Sequence, residues 1–309
     1  MSGEEGSTFR SVTFPFIVFT LIWGSTWIVI RDQLGTVPAQ WSVTYRFVIA
    51  GAAMAAVAVW KGDSLRLGSR GLAAALFLGF MQFCVNFNAV YLAERHITSG
   101  VVATVFALLL IPSSLMGWAL LGHHPTRRFA LSSLVAVGGI VLLFVHEINE
   151  HPADTRQIVA GIGLAVIGML GASIANVVQA RPEIRRFPLF GLLAWSMAAG
   201  ALMDGLIAYS MTGPPVFEAR PSYWLGVFYL ALLASVLTFS LYYPVVRKIG
   251  PGKAAYSSVL VPIIAMGFST AFECYRWNAL TIAGALLALG GMAAALQRNR
   301  SGIAAPDAA

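Results

Sequence analysis

The sequence predicts an all-α integral membrane protein, with ten transmembrane helices arranged as two inverted five-helix repeats. Composition, long apolar segments and a recurring set of prolines and glycines support this prediction. Of the 309 residues, 58% are hydrophobic and only 11% are charged, and the mean hydropathy is +0.76. Soluble domains carry about 25% charged residues. This chain therefore has too few charges to cover a water-facing surface, and we expect a lipid bilayer around it.

Ten apolar segments approach the length of about 20 residues that a helix needs to cross the hydrocarbon core. Short connections join them, which leaves no room for a separate soluble domain. The segments cover 14–30, 38–60, 71–91, 97–121, 129–146, 157–179, 187–211, 223–246, 254–273 and 278–296.

Lysine and arginine residues alternate from one connection to the next. If the N-terminus is cytoplasmic, fourteen of them lie on the cytoplasmic side and five on the other. Cytoplasmic loops of membrane proteins carry such an excess of positive charge. The pattern predicts a multi-pass protein of the cytoplasmic (inner) membrane with both termini in the cytoplasm. The net charge of +7 then reflects topology, and we expect no nucleic-acid partner.

Four pairs of prolines and glycines are separated by the same interval of 150 residues. The pairs are Pro38 and Pro188, Gly100 and Gly250, Pro112 and Pro262, and Gly117 and Gly267. The interval divides the ten segments into two halves of five. Because five is odd, the second half must cross the membrane in the opposite orientation. Inverted repeats of this kind are typical of secondary transporters.

This division predicts a cytoplasmic N-terminal tail over 1–13 and a first repeat over 14–146. An external linker over 147–156, a second repeat over 157–297 and a cytoplasmic tail over 298–309 follow. Small-residue runs at 50–56 and 284–291 allow close helix packing, within one chain or between two. The oligomeric state stays open, and a monomer suffices for the predicted fold.

Pro112 and Pro262 lie within apolar runs, "LIP" at 110–112 and "LVP" at 260–262. A proline inside a helix removes one backbone hydrogen bond and kinks the helix. Equivalent kinks in two antiparallel halves would surround a cavity. If the halves exchange which one is bent, one side opens while the other closes. We therefore predict hinges at these prolines and at the nearby Gly117 and Gly267.

Several motifs resemble one family. They are "WGSTW" at 23–27, "VPAQWSVTYRF" at 37–47 and the repeated glycine-to-proline segments. The chain resembles, over about 14–297, the EamA-type ten-span branch of the drug/metabolite transporter superfamily, and within it the YddG-type aromatic amino-acid exporters. The resemblance implies a central cavity lined by segments 1, 3, 4, 6, 8 and 9. It also implies export of neutral amino acids, such as aromatic ones, methionine or threonine, or of related metabolites, by alternating access.

Polar and aromatic side chains in these segments are the candidates for the cavity wall. A substrate with an ammonium and a carboxylate group loses water inside the membrane, so polar atoms must replace it. Two other interpretations stay open: amides can join helices, and hydroxyls next to Pro112 can bond carbonyls that the proline leaves free. The candidates are Trp23, Thr26, Gln82, Asn86, Thr104, Ser173, Asn176, Ser235, Thr238, Tyr242 and Ser257.

Two charged residues, Arg46 and Asp204, lie within apolar segments, both towards the outer side. Ionisable groups at such depth are functional candidates. They could pair with each other across the two halves, or Arg46 could bond helix-end carbonyls or Glu94. No titratable carboxylate or histidine lies at the centre of a segment. This favours transport driven by the substrate gradient, or only weak proton coupling.

Other classes of function find less support in the sequence. An enzyme would need a nucleophile and base motif or a metal site, and we identify neither; His123 and His124 stand in a basic connection. A channel or sensor is the alternative of a different class, although we identify no charge ring or carbonyl filter. Other small metabolites or cationic drugs are alternative substrates. We expect no enzymatic activity, no metal and no cofactor.

Overall fold

The computed structural model describes residues 12–121, 126–150, 154–249, 257–273 and 275–296, and these form helices with no β-strand among them. Two π-helical segments, π1 at Gly79–Val85 and π2 at Tyr229–Leu237, each connect two α-helices without a loop. The helices are α1 Phe14–Gln33, α2 Ala39–Trp60, α3 Gly68–Leu78, α4 Asn86–Ala93, α5 Ser99–Ala107, α6 Leu110–Leu121, α7 Arg127–Glu150, α8 Thr155–Ala180, α9 Pro182–Arg185, α10 Leu189–Thr212, α11 Pro221–Phe228, α12 Thr238–Ile249, α13 Ser257–Phe272 and α14 Ala279–Leu296.

Seven helical stretches are long and apolar enough to cross a membrane, judged by length and composition. They are Phe14–Gln33, Ala39–Trp60, Gly68–Ala93, Ser99–Ala119, Thr155–Ala180, Leu189–Thr212 and Pro221–Val245. The other three predicted segments are helical as well: α13 and α14 include shorter apolar helices, and α7 has 24 residues. For these three, crossing of the membrane stays a prediction.

The helix boundaries follow the predicted segments closely, except that the segment predicted over 97–121 is divided between α5 and α6 and that the helices next to the linker are longer. Helix α1 begins at Phe14, where the first repeat was predicted to begin. Within the linker predicted over 147–156, α7 continues to Glu150 and α8 begins at Thr155. Residues 1–11, 151–153 and 297–309, which include most of both predicted tails, lie outside the described residues.

Elements at equivalent positions of the two halves recur and pack on one another. Helices α2 and α10 begin at Ala39 and Leu189, 150 residues apart, and π1 and π2 begin at Gly79 and Tyr229, again 150 residues apart. Helix α2 packs along α10, α7 along α14, and α5 on α13. Each of these contacts joins corresponding members of the two predicted repeats.

Small residues allow two of these contacts to be close. A Cβ atom added to Gly51 would lie 3.2 Å from the backbone nitrogen of Ala198 in α10. A Cβ atom on Gly139 of α7 would lie 2.3 Å from the backbone nitrogen of Ala288 in α14. A side chain at Gly139 cannot fit without moving the backbone of α14, and one at Gly51 would require a small shift of α10. The small-residue runs at 50–56 and 284–291 therefore contribute to packing within one chain.

Candidate functional site

The π-helical segment π1 holds a pair of buried amide side chains. A π-helical turn contains an extra residue and occurs frequently at functional sites. Gln82 is 5% exposed and Asn86, directly after π1, is 4% exposed. Asn86 Nδ2 donates to the Gln82 backbone oxygen at 3.2 Å, whereas Gln82 Oε1 and Asn86 Oδ1 have no hydrogen-bond partner among the described residues. Buried polar atoms normally have partners, which makes these two unpaired oxygens candidates for contact with a substrate.

Five aromatic residues from three parts of the chain form a cluster beside this pair. Trp23 lies 5.0 Å from Tyr242 and 5.8 Å from Phe239, measured between ring centroids. Phe239 in turn lies 5.7 Å from Phe83, the neighbour of Gln82 in π1. Trp23 and Tyr242 are only half-buried, whereas the other three rings of the cluster are buried. The aromatic cluster is Phe19, Trp23, Phe83, Phe239 and Tyr242.

A hydrogen bond fixes the orientation of the Trp23 ring. Its Nε1 donates to the backbone oxygen of Ala234 in π2 at 3.2 Å. The structure thus brings together two predicted cavity residues, Trp23 and Tyr242, that lie in different halves of the sequence. Phe239 was not predicted, and only its position one residue after Thr238 could have suggested it.

Three predicted threonines bond their own helices. Thr26 donates to the Trp23 oxygen at 2.7 Å, Thr104 to the Gly100 oxygen at 2.8 Å, and Thr238 to the Ala234 oxygen at 2.6 Å. Such bonds to the preceding turn are common for threonine in helices. With their protons engaged, these hydroxyls can still accept a hydrogen bond but cannot donate one to a substrate.

The remaining predicted polar residues have different surroundings. Ser173 Oγ donates to the Leu109 oxygen at 3.1 Å, in the turn between α5 and α6. Asn176 is half-buried on the same helix, and Ser257 is the buried first residue of α13. The hydroxyl of Ser113 has no partner within the described part of the chain. It is thus Ser173, from another helix, that bonds a carbonyl at this turn.

The two predicted proline hinges differ in conformation. Helix α5 ends at Ala107 and α6 begins at Leu110, so the helix is interrupted just before Pro112, whose ring excludes a regular turn. Pro262 is buried within α13, which continues through it. The helical hydrogen bonding is thus interrupted in the first half and continuous in the second. Gly117 and Gly267 have no atom within 4 Å of an added Cβ, so packing does not require glycine there.

Arg46 is 2% exposed and has no ion-pair partner among the described residues. Its Nε and Nη2 each donate to Ser235 Oγ at 3.2 Å. Its guanidinium carbon lies 4.3 Å from the centroid of the Phe87 ring, a cation–π contact. Ser235 also donates to the Leu230 oxygen at 2.9 Å, five residues earlier in π2. Arg46 therefore connects α2 to π2 and α4.

Asp204 is fully buried at another place. Its Oδ1 accepts a hydrogen bond from Asn88 Nδ2 at 2.6 Å. The structure does not bring Arg46 and Asp204 together, because α2 directs Arg46 towards π2 whereas α10 directs Asp204 towards α4. Glu94, the other suggested partner of Arg46, does not bond it; the backbone oxygen of Glu94 accepts a hydrogen bond from Arg31 instead.

Four residues at helix ends form a polar network that the sequence did not reveal. Arg31 Nε lies 3.4 Å from Glu273 Oε1, and Arg31 Nη1 donates to the backbone oxygen of Glu94. Both the backbone nitrogen and the hydroxyl of Ser99 donate to Glu273. Each residue stands where an apolar segment ends, which is also where ordinary loop charges occur. We call this group the Arg31 network; it joins the ends of α1, α4, α5 and α13.

The sequence pattern of the EamA-like transporter family matches residues 12–145 and residues 159–297. The chain belongs to the EamA-like transporter family. Its relatives include the uncharacterized inner membrane transporter YedA of Escherichia coli K12. The two sequences are 26% identical over 81% of this chain and 79% of YedA. Protein PagO of Salmonella typhimurium is 21% identical over 83% of each chain. The uncharacterized transporter YdfC of Bacillus subtilis is 22% identical over 88% of this chain and 86% of its own.

A solved crystal structure shares the fold of this EamA-like transporter. It is 20% identical in sequence, covers 93% of this chain and 97% of its own, and superposes with a TM-score of 0.67. Family, relatives and apolar helices agree on a multi-pass inner membrane transporter. Such a protein binds small-molecule substrates within the membrane.

Proposed function

We propose that this EamA-like transporter exports neutral amino acids, aromatic ones or others such as methionine and threonine, and related metabolites, by alternating access. The difference between the two proline helices is the observation that carries this proposal. Pro112 and Pro262 occupy equivalent positions, but the helix is interrupted at the first and continuous at the second. A structure with two such states can exchange them between its halves, and this exchange would open a central site to one side at a time.

The proposed architecture is ten spans in two inverted repeats, 14–146 and 157–297, with both termini in the cytoplasm. Three observations support it. Two pairs of equivalent elements, α2 with α10 and π1 with π2, begin 150 residues apart. Equivalent helices pack on one another, as α2 does on α10. The excess of cations on alternate connections supports the orientation.

The proposed substrate class follows from the aromatic cluster and the amide pair. Gln82 Oε1 and Asn86 Oδ1 are free acceptors and suit an ammonium group, which only donates. The half-buried rings of Trp23 and Tyr242 offer faces for an aromatic or thioether side chain. Phe83 lies between the two groups, next to Gln82 in sequence and 5.7 Å from Phe239. These contacts favour a small molecule with a cationic end and an apolar end.

Transport by the purified protein in liposomes tests this function. Liposomes loaded with phenylalanine, methionine or threonine should release them in a saturable manner, and substrate on the opposite side should accelerate the release. Sugars, nucleobases and cationic drugs form the comparison set. Flux that never saturates would indicate a channel, and a chemically altered substrate would indicate an enzyme. Saturable flux of a cationic drug but of no amino acid would reject the proposed substrate.

A further inference from the structure

We propose that Glu94 is a proton-binding site, and that release of its proton opens the end of the transporter where the Arg31 network lies. The inference rests on the proposed alternating-access function, which requires that this end open and close. The ligand is a single proton exchanged with water on that side of the membrane. No covalent bond other than the carboxyl O–H is made or broken.

The Arg31 network holds this end of the molecule closed. Glu273, after the end of α13, contacts Arg31 of α1 and Ser99 of α5, and its side chain is 8% exposed. Directly after Ser99, a Cβ atom on Gly100 would lie 2.5 Å from Met266 Sδ in α13. Helices α5 and α13 are thus in close contact beside the network. A change in the charge of the network acts where these two helices must separate.

The Glu94 side chain is placed where a negative charge is unfavourable. Glu94 is 0% exposed, and neither carboxylate oxygen has a hydrogen-bond partner among the residues that the structure describes. Only the backbone oxygen of Glu94 bonds Arg31. A buried carboxylate without hydrogen bonds favours the protonated form. With Arg31 positive and Glu273 negative, a protonated Glu94 leaves the network electrically neutral.

The charged groups around Glu94 agree with this assignment. Arg31 and Glu273 act on it directly, and Tyr91 lies one turn earlier on α4. Asp32 of α1 is exposed and pairs with Arg220 instead. Helix α5 carries no titratable side chain. The titratable or charged residues of the remaining elements packed on α4 are Cys84 of π1, Tyr45 and Arg46 of α2, Asp204 of α10 and the exposed Arg156 of α8. The exposed Arg95 and the half-buried His96 follow Glu94 directly, so the Glu94→Gln variant is needed to assign a pH effect to Glu94.

Burial, the largest cause, raises the pKa of Glu94 well above its ordinary value, and the negative charge of Glu273 raises it further. The positive charge of Arg31 offsets only part of this increase. The closed form therefore binds the proton more tightly than an open, hydrated form would. Raising the pH removes the proton and leaves two carboxylates beside one guanidinium. The closed form then loses stability relative to the open form as pH rises.

Helix α4 also connects this site to the interior. Tyr91 donates to Gln33 Oε1 of α1 at 2.9 Å, and it lies close enough to Arg46 for an electrostatic interaction. A displacement of Glu94 would therefore be transmitted towards π1, where the amide pair lies.

Labelling of a cysteine at Met266, which is 3% exposed, tests the proposal without knowledge of the substrate. Met266→Cys is introduced into a protein lacking Cys84 and Cys274, and a membrane-impermeant thiol reagent is applied from the network side. Labelling should be faster at about pH 8 than at about pH 6 by about tenfold, because the equilibrium between the closed and open forms changes up to tenfold for each pH unit between their two Glu94 pKa values. Addition of Glu94→Gln, which mimics the protonated carboxyl, should make labelling slow at both pH values.

Glu183→Gln is the matched control, because Glu183 is exposed and pairs with Arg181 away from the network. This variant should keep the wild-type pH dependence. Labelling that does not change with pH in the protein with Glu94 intact would overturn the proposal, even if Glu94→Gln failed to fold. A rate that follows sodium and not pH would also overturn it. Failure of every amino acid in the flux experiment would reject the proposed substrates but leave this labelling result interpretable.

Discussion

Arg46 and Asp204, the two charged residues inside apolar segments, each have a neutral partner in the structure. Arg46 bonds Ser235, and Asp204 bonds Asn88. A buried charged group depends strongly on its hydrogen bonds, because the cost of removing it from water is otherwise not offset. These two residues therefore hold helices together at defined points, and the effect of removing a partner can be measured.

We expect Asn88→Leu to destabilise the protein by about 1–3 kcal/mol, the usual cost of leaving a buried polar group unpaired. The reason is that Asp204, at 0% exposure, loses its donor at 2.6 Å. Thermal unfolding in detergent measures this. The double variant with Asp204→Leu should recover most of the loss, because no unpaired carboxylate then remains. An unchanged unfolding temperature for the single variant would contradict the assigned partnership.

Trp23 provides a test of the aromatic cluster as a substrate contact. We expect Trp23→Leu to raise the half-saturating concentration of phenylalanine about three- to tenfold, since aromatic pairs contribute about 0.5–1.5 kcal/mol beyond area burial. Export of threonine should change less, because it has no ring. Trp60→Leu is the control, as Trp60 is 79% exposed. Equal effects on both substrates would argue against stacking at Trp23.

At the scale of helices, replacement of either hinge proline should change the transport rate more than it changes the affinity for substrate. Pro112→Ala would allow the amide of residue 112 to bond the carbonyl of Leu108 and so favour a continuous helix from α5 into α6. We expect turnover to fall more than substrate affinity does, and the same for Pro262→Ala in α13. Transport rates and equilibrium binding measure the two quantities. Equal losses in both would count against a hinge.

Two adjacent glycines in α7 test the contact between α7 and α14. A Cβ atom on Gly139 would lie 2.3 Å from the Ala288 nitrogen, whereas one on Gly138 would meet nothing within 4 Å. We expect Gly139→Ala to destabilise by about 1–3 kcal/mol through overpacking. Gly138→Ala should be neutral or slightly stabilising, because alanine favours helices. Similar thermal stability of the two variants would contradict this contact.

At the scale of the whole molecule, the proposed orientation predicts which loops face the outside. Lys61, after α2, and Ala219, before α11, are both exposed and should lie on opposite sides. In intact cells, an impermeant thiol reagent should label Ala219→Cys and leave Lys61→Cys unmodified. The reverse pattern would place both termini outside and reject the proposed direction of export.

The membrane class and the positions of the helices were predictable from the sequence. Both depend on local properties, namely the transfer of apolar side chains into lipid and the effect of proline on a helix start. Helix α2 accordingly begins at Ala39 directly after Pro38, and its counterpart α10 begins at Leu189 directly after Pro188. Gln82 and Asn86 were also both predicted as cavity residues, and their spacing of four places them on one helix face.

The sequence by itself therefore determined the membrane class, the helical segments and the interval that relates the two halves. Only the tertiary structure decided the contacts: Arg46 with a serine 189 residues away, Trp23 beside Tyr242, the unequal helices at Pro112 and Pro262, and the buried Glu94. The physical reason is that lipid and protein interior are both apolar. A helix face that contacts lipid therefore has a sequence similar to one that contacts other helices. Only the packing of the helices decides what surrounds each polar side chain.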